Sequence, residues 1–204
     1  MSCLPRLIIA TRNPHKSSEI RALIGESFEV LDATHFPDFP LIAETGASFL
    51  ENATLKAEGI SRCVSGWVLA DDSGLEVDAL GGAPGVWSSS FGGEEGNHAL
   101  SNARLMKEMA GQSERSARFR CTMVLARDGA ALADFSGVVE GTITDSLHGT
   151  SGFGYDPLFI PEGHVQTFGE LGDAVKNRLS HRARALEQAL RWLIDPPKKT
   201  VCTS

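Results

Sequence analysis

Apolar residues open the chain as a short unbroken run, Leu7 to Ala10, too short for a signal-peptide core and of the length of a buried strand. The polar segment Thr11-Arg12-Asn13-Pro14-His15-Lys16 follows it. From about Ser17 the spacing turns helical, with Ile20, Leu23 and Ile24 on one face and Gly25 as the stop. Phe28–Leu31 reads as the next strand, so the chain begins strand–loop–helix–strand, the usual start of an α/β protein. An acidic, Pro-containing loop spans Asp38 to Gly46. Ser48-x-x-Glu51 has capping-box spacing and predicts a helix to about Ser61, with Phe49, Ala53, Ala57 and Ile60 as its apolar stripe.

Trp67–Ala70 reads as a buried strand running into Asp71-Asp72-Ser73-Gly74, with Leu75–Leu80 as a second extended piece. Gly81 to Gly93, rich in Gly, Ser and Pro, is a long loop, and Asn97–Met109 is an amphipathic helix. Ala117–Arg127 alternates as a strand. Asp128-Gly129 is a hairpin turn signal, and Ala131–Thr144 is the return strand, bulged at Gly137 or Gly141. Gly152–Asp156 is a second Gly-rich loop, followed by a strand at Leu158–Ile160. The last helix starts near Ser180 and is ended by Pro196-Pro197. The hairpin implies a mixed sheet. Residues 1–197 read as one domain and 198–204 as a frayed tail.

Composition narrows the function. The 204 residues are 42% hydrophobic and 22% charged, as in ordinary globular proteins. A net charge of −7 argues against a nucleic-acid binder, which needs a basic footprint. It permits a small polyanion where a few lysines and a metal converge. No apolar run approaches the roughly 20 residues of a membrane span, so no membrane partner is expected. Cys3, Cys63, Cys121 and Cys202 are scattered without metal or redox spacing, which reads as reduced thiols in a cytoplasmic protein.

Four segments could carry chemistry. Thr11 to Lys16 lies between a strand and a helix start, where free N–H groups, the positive helix end and Lys16 suit a phosphate. A solvated turn reads as well, since Walker-loop glycines are lacking. Asp71-Asp72 lies at a strand end, and adjacent strand residues point to opposite faces, so one aspartate enters a site there. That carboxylate, with Glu44 as a second, could hold magnesium and orient a water. A turn with Asp as cap is the plainer reading. In Gly152-Phe153-Gly154-Tyr155-Asp156-Pro157, two glycines bracket an aromatic face on which a base could stack, and Asp156 could accept from ring N–H groups; a structural turn fits equally. At Ser180-His181-Arg182, with Lys176 upstream, cations in a first helical turn oppose the helix dipole. A bound ligand would justify that, and a surface basic cluster is the alternative.

In order, these segments extend to Thr11-Arg12-Asn13-x-x-Lys16, Glu44-Thr45-Gly46-x-Ser48-Phe49-x-Glu51-Asn52-Ala53-x-x-Lys56-Ala57, Ala70-Asp71-Asp72-Ser73-Gly74-Leu75, Gly81-Gly82-Ala83-Pro84-Gly85-Val86, Gly152 to Pro157, and Ser180-His181-Arg182. Over roughly residues 6 to 194 the set closely resembles the non-canonical purine NTP pyrophosphatase family, also called the inosine triphosphate pyrophosphatase family. The resemblance implies an elongated mixed sheet flanked by helices in two lobes with a central cleft, a homodimer, and a magnesium requirement. It also implies hydrolysis of ITP, dITP and XTP to the monophosphate and pyrophosphate. By position, it makes Thr11, Arg12, Asn13, Pro14, His15 and Lys16 the triphosphate loop, and Lys56 and Lys176 further phosphate or sugar contacts. Glu44 and Asp72 become magnesium ligands, with Asp72 also the base for the attacking water and Ser73 a substrate contact beside it. Phe153, Gly154, Tyr155 and Asp156 become the base-stacking wall, and His181 and Arg182 the donors to the six-keto oxygen.

Three departures stand out. Ser90 replaces the arginine usual in that region, Ala174-Val175 replaces an acidic pair before Lys176, and Arg12 and His15 stand where small residues are common. Two competing readings stay open: a relative acting on modified pyrimidine triphosphates, and a nucleotide sensor without turnover. A triphosphate panel separates them.

Overall fold

The structure is a computed structural model that describes residues 4–196; Cys3, Cys202 and the 198–204 tail lie outside these residues. Six strands form one sheet in the order β2-β1-β3-β4-β5-β6. They are β1 (Arg6–Ile9), β2 (Glu29–Asp32), β3 (Trp67–Val77), β4 (Ser116–Arg127), β5 (Ala130–Ile143) and β6 (Phe159–Pro161). The three at the β2 end are parallel and the rest antiparallel, which makes the sheet mixed, as the hairpin requires. The helices are α1 (Pro14–Ile24), α2 (Phe49–Ser61), α3 (His98–Glu108), α4 (Phe168–Leu171), α5 (Asp173–Leu179) and α6 (His181–Ile194). No helix among the described residues is long and apolar enough to cross a membrane.

The period-2 geometry of a strand explains the unbroken first run. Leu7 and Ile9 pack with Ile20 and Ile24 of α1 and Leu186 of α6. Ile8 and Ala10 pack on the other face with Ala53, Ala57 and Ile60 of α2. With both faces covered, neither set of positions can be polar. A third core lies further along β3 and β4, where Leu75, Phe119, Phe159 and Phe168 meet Leu105 of α3.

Several boundaries differ from the sequence expectation for identifiable reasons. Helix α1 begins at Pro14, not Ser17, because Asn13 caps it and proline suits the first helical position. Asp71 to Gly74 form no turn: β3 runs through them, paired residue for residue with β4. The bulge falls at neither Gly137 nor Gly141. The register shifts between Leu125 and Ala126, which pair with Ala133 and Ala131 and leave Leu132 over, beside the hairpin. At that hairpin Asp128 (φ 54°) and Gly129 (φ 82°) are both left-handed, the geometry that matches strand twist. The two glycines serve close packing instead. A Cβ on Gly137 would overlap the His181 carbonyl and sit 2.7 Å from the Ala185 nitrogen, and one on Gly141 would sit 2.6 Å from the Phe159 ring. Among the described residues, Cys63 and Cys121 are free thiols.

Candidate active site

Strand parity decides what each aspartate does. Leu69 faces α1 and α6, and Ala70 faces α2. Two residues on, Asp71 therefore meets Lys16 of α1, 3.1 Å from its Nζ, and Arg182 of α6, 3.3 Å from its Nη2. Asp72 points the other way, its Oδ1 2.9 Å from Lys56 Nζ of α2. Lys56 is also 2.9 Å from Glu44 Oε2, so one ammonium joins the acidic loop to the strand. Asn52 of α2 adds two contacts: its Nδ2 is 3.4 Å from Asp72 Oδ2, and its Oδ1 accepts from Gly46 N at 2.8 Å.

A cavity of about 480 Å³ opens beside this cluster. Asp72 and Ser73 line it and Asp71 does not, so one aspartate of the pair enters. Part of its lining is charged. Thr11, Arg12, Asn13 and Lys16 line it together with Glu44 and Lys56. Pro14 and His15 do not. The N–H groups of His15 and Lys16 are already taken by Asn13 Oδ1, at 2.9 and 3.3 Å. The expected array of free amides is thus spent on the cap, and side-chain cations carry the positive potential. Arg12 ties the segment across by donating to the Phe39 carbonyl at 2.8 Å.

Another part of the lining is aromatic. Phe153, Gly154, Tyr155 and Asp156 line it, with Lys176, His181 and Arg182. The Phe153 ring has His15 stacked on it, with centroids 5.0 Å apart and planes at 16°. Lys176 Nζ lies 4.4 Å from the Phe153 centroid. Tyr155 is buried and donates its hydroxyl to the Ser88 carbonyl at 2.8 Å. Asp156 is turned inward: its Oδ2 accepts from Phe153 N at 2.8 Å and from Lys176 Nζ at 2.6 Å. Lys176 also reaches Glu19 Oε1 at 2.6 Å, so its ammonium is bound between two carboxylates. His181 and Arg182 are no surface cluster, being 4% and 1% exposed. Ser180 caps α6 by accepting from Ala183 N at 3.2 Å. The dipole penalty on Arg182 is met within the protein: it pairs with Asp71 and Glu19 and donates to Ser73 Oγ at 2.8 Å. His181 stacks on Phe119, centroids 4.9 Å apart, and its buried Nδ1 has no protein partner.

The electrostatics follow from these placements. Burial would raise the Asp71 carboxyl, but Lys16, Arg182 and Lys56 hold it well below the usual carboxylate range. Burial pushes Asp72 up to about 6, against the pull of Lys56 and Lys16 and with support from its hydrogen bond to Glu44. Burial opposes the charge on Lys56, and Asp72, Asp71 and Glu44 outweigh it to raise its pKa. His181 is held well below its ordinary value by burial and by the neighbouring Arg182 and Lys176, so its ring is neutral. Two adjacent carboxylates at a cavity wall suit a hard divalent cation, which takes one or two protein oxygens and completes its shell from phosphate and water. Among the described residues no group of three His, Cys, Asp or Glu side chains is placed to hold a metal ion.

The family model described as the Ham1 family matches residues 7–192. The chain belongs to the Ham1 family. A Geobacter sulfurreducens protein named dITP/XTP pyrophosphatase is 46% identical over 186 residues, 90% of this chain and 94% of its own length. A Bacillus licheniformis protein of the same name is 44% identical over 195 residues, 94% of this chain and 99% of its own. The HAM1 protein structure from Coxiella burnetii superposes with a TM-score of 0.84 at 37% identity, covering 94% of this chain and 99% of that one.

Within this Ham1 site, Glu19, Asn52 and Ser88 are among the residues whose roles escape the sequence reading. Glu19, which joins Lys176 to Arg182, lies three positions after Lys16 on α1, a spacing that shares a helix face and was available as a signal. Asn52 and Ser88 act through long-range bonds, to Asp72 and to Leu75 N, that no local pattern announces. Ser90, standing at the arginine position, bonds only locally, to the Trp87 carbonyl at 3.4 Å.

Proposed function

We propose that this chain is a magnesium-dependent pyrophosphatase for the non-canonical purine nucleoside triphosphates ITP, dITP and XTP, and that it cleanses the cytoplasmic nucleotide pool of them. One observation carries the reading. A single cavity is lined by Lys16, Lys56 and two carboxylates and also by Phe153 and the neutral His181. That is a binding plan for a triphosphate and a flat base at once. The names of the close relatives support the same substrates.

Lys16 and Lys56 offset part of the roughly four negative charges of a triphosphate. Glu44 and Asp72 are the residues that would hold magnesium, which when bound supplies charge neutralisation of the phosphates and of the leaving pyrophosphate. Asp72 accepts the proton of the attacking water. Cleavage at the α-phosphorus rests on the family resemblance. The base stacks against Phe153. A neutral imidazole carries one N–H donor, and the cavity-lining His181 offers it to a six-keto oxygen. Adenine puts an amino group there, a donor facing a donor. Such a buried mismatch costs about 1–3 kcal/mol, roughly tenfold to 100-fold in preference. The homodimer goes with this reading, on the same resemblance.

The test is pyrophosphate release from ITP by wild type and Asp72→Asn, with magnesium present or chelated. The reading expects release that needs both magnesium and Asp72. Tight ITP binding without release by the folded wild type would instead favour the sensor.

A further inference from the structure

Helix α3 contributes His98 to the cavity wall, and Asn102 one turn further on does not line it. Asn102 is 7% exposed, and its Nδ2 donates to the Gly154 carbonyl at 3.0 Å. The amide orientation is fixed by that contact, since the flipped form would set two acceptors face to face. Its Oδ1 is buried with no partner. A buried amide with half its capacity unmet is costly, and an apolar residue of similar size would pack there more cheaply. The donor end therefore has a task that outweighs the cost.

That task is legible in the loop it holds. Gly154 is left-handed, φ 64°, and a Cβ placed on it would meet nothing within 4 Å. On that side no side chain packs against the loop tip. Its two flanks are pinned, Phe153 N on Asp156 and the Tyr155 hydroxyl on the Ser88 carbonyl, while the peptide between them rests on Asn102. The same helix holds the loop that carries Ser88: Ser101 Oγ accepts from Gly92 N at 3.1 Å, and Arg104 Nη1 donates to the Phe91 carbonyl at 2.7 Å. α3 is thus the frame on which both loops are hung.

We infer that Asn102 is a positioning residue of the nucleobase subsite: by holding the Gly154 carbonyl it sets the plane of the Phe153 ring on which the base stacks. This deepens the pyrophosphatase reading and rests on it for the identity of the base. Asn102 touches neither the phosphate-facing lysines nor Asp72, so its loss acts on base binding and leaves the hydrolytic step intact.

The experiment compares wild type with Asn102→Asp, which keeps the shape and replaces the donor by an acceptor, and with Asn102→Ala should the first variant not fold. Two measurements are made. Amide hydrogen exchange across residues 152–156, with no nucleotide present, is expected to speed up about tenfold or more in the variant, with β3 amides unchanged. Steady-state kinetics are expected to show KM for ITP raised about tenfold, kcat nearly unchanged, and the preference for ITP over ATP reduced. Wild-type turnover of ITP checks the pyrophosphatase reading separately, and hydrogen exchange reads the positioning role even if that reading fails. Unchanged exchange in the loop, or unchanged KM and ITP preference in a folded variant, overturns the inference.

Discussion

The Lys16 ammonium lies 3.1 Å from Asp71 Oδ2, on the side of β3 away from Asp72. Two neighbouring carboxylates are thereby given opposite situations: one buried and neutralised by cations, the other at the cavity with its charge held at a cost. The substitutions Asp71→Asn and Asp72→Asn should separate accordingly. Asp71→Asn leaves Lys16 and Arg182 without their shared counter-charge, and breaking a buried pair costs about 3–5 kcal/mol. Thermal denaturation should show a fall in Tm on the order of 10 °C. Asp72→Asn should leave Tm unchanged or higher while abolishing pyrophosphate release, because burial already disfavours the ionised form there. A large loss of stability in Asp72→Asn would contradict this division.

Gly137→Ala tests the packing of the base-facing helix. The added Cβ meets backbone of α6, at the His181 carbonyl and the Ala185 nitrogen, and backbone cannot swing aside as a side chain can. Overpacking of this kind costs about 1–3 kcal/mol. We expect a lower denaturation midpoint together with a weaker preference for ITP over ATP, since the helix that must shift carries His181. A variant as stable and as selective as wild type would refute the contact.

The pH dependence of stability should carry the mark of His181. Its folded-state pKa is depressed by burial and the nearby cations, while the unfolded chain titrates near 6.5. Below that pH the unfolded state binds a proton that the folded state refuses, so acid favours unfolding. The contribution is constant above about pH 6.5 and is lost at about 1.4 kcal/mol per pH unit below it. Chemical denaturation from pH 7.5 to 5 should show a steeper acid loss in wild type than in His181→Gln. Parallel curves would place a protonatable imidazole at that position.

What the sequence makes legible is what local pattern encodes. Alternation sends one aspartate of the pair into the site and the family motif makes it Asp72, and capping signals locate Ser48 and Ser180 as helix starts. Pattern misplaces the start of α1, where the Asn13-Pro14 signal reads as part of a loop. It also mistakes Gly137 for a bulge, because a glycine that admits a helix and a glycine that bends a strand look alike in one dimension. The turns of α4 and α5 escape it, being too short for periodicity to register. Burial of Arg182 is invisible for a further reason: its partners Asp71 and Glu19 lie 111 and 163 residues away in sequence.

Selectivity for non-canonical six-keto purines over adenine, read by Phe153 and His181, is what this cavity is proposed to achieve. It is tested most directly by kcat/KM for pyrophosphate release from ITP, XTP, dITP, ATP and GTP, measured at one magnesium concentration. The account predicts values for ITP, XTP and dITP that exceed that for ATP by roughly tenfold to 100-fold or more, with the gap over ATP narrowed in His181→Ala. Equal turnover of ATP and ITP, or turnover of none of the five by the folded protein, would contradict it.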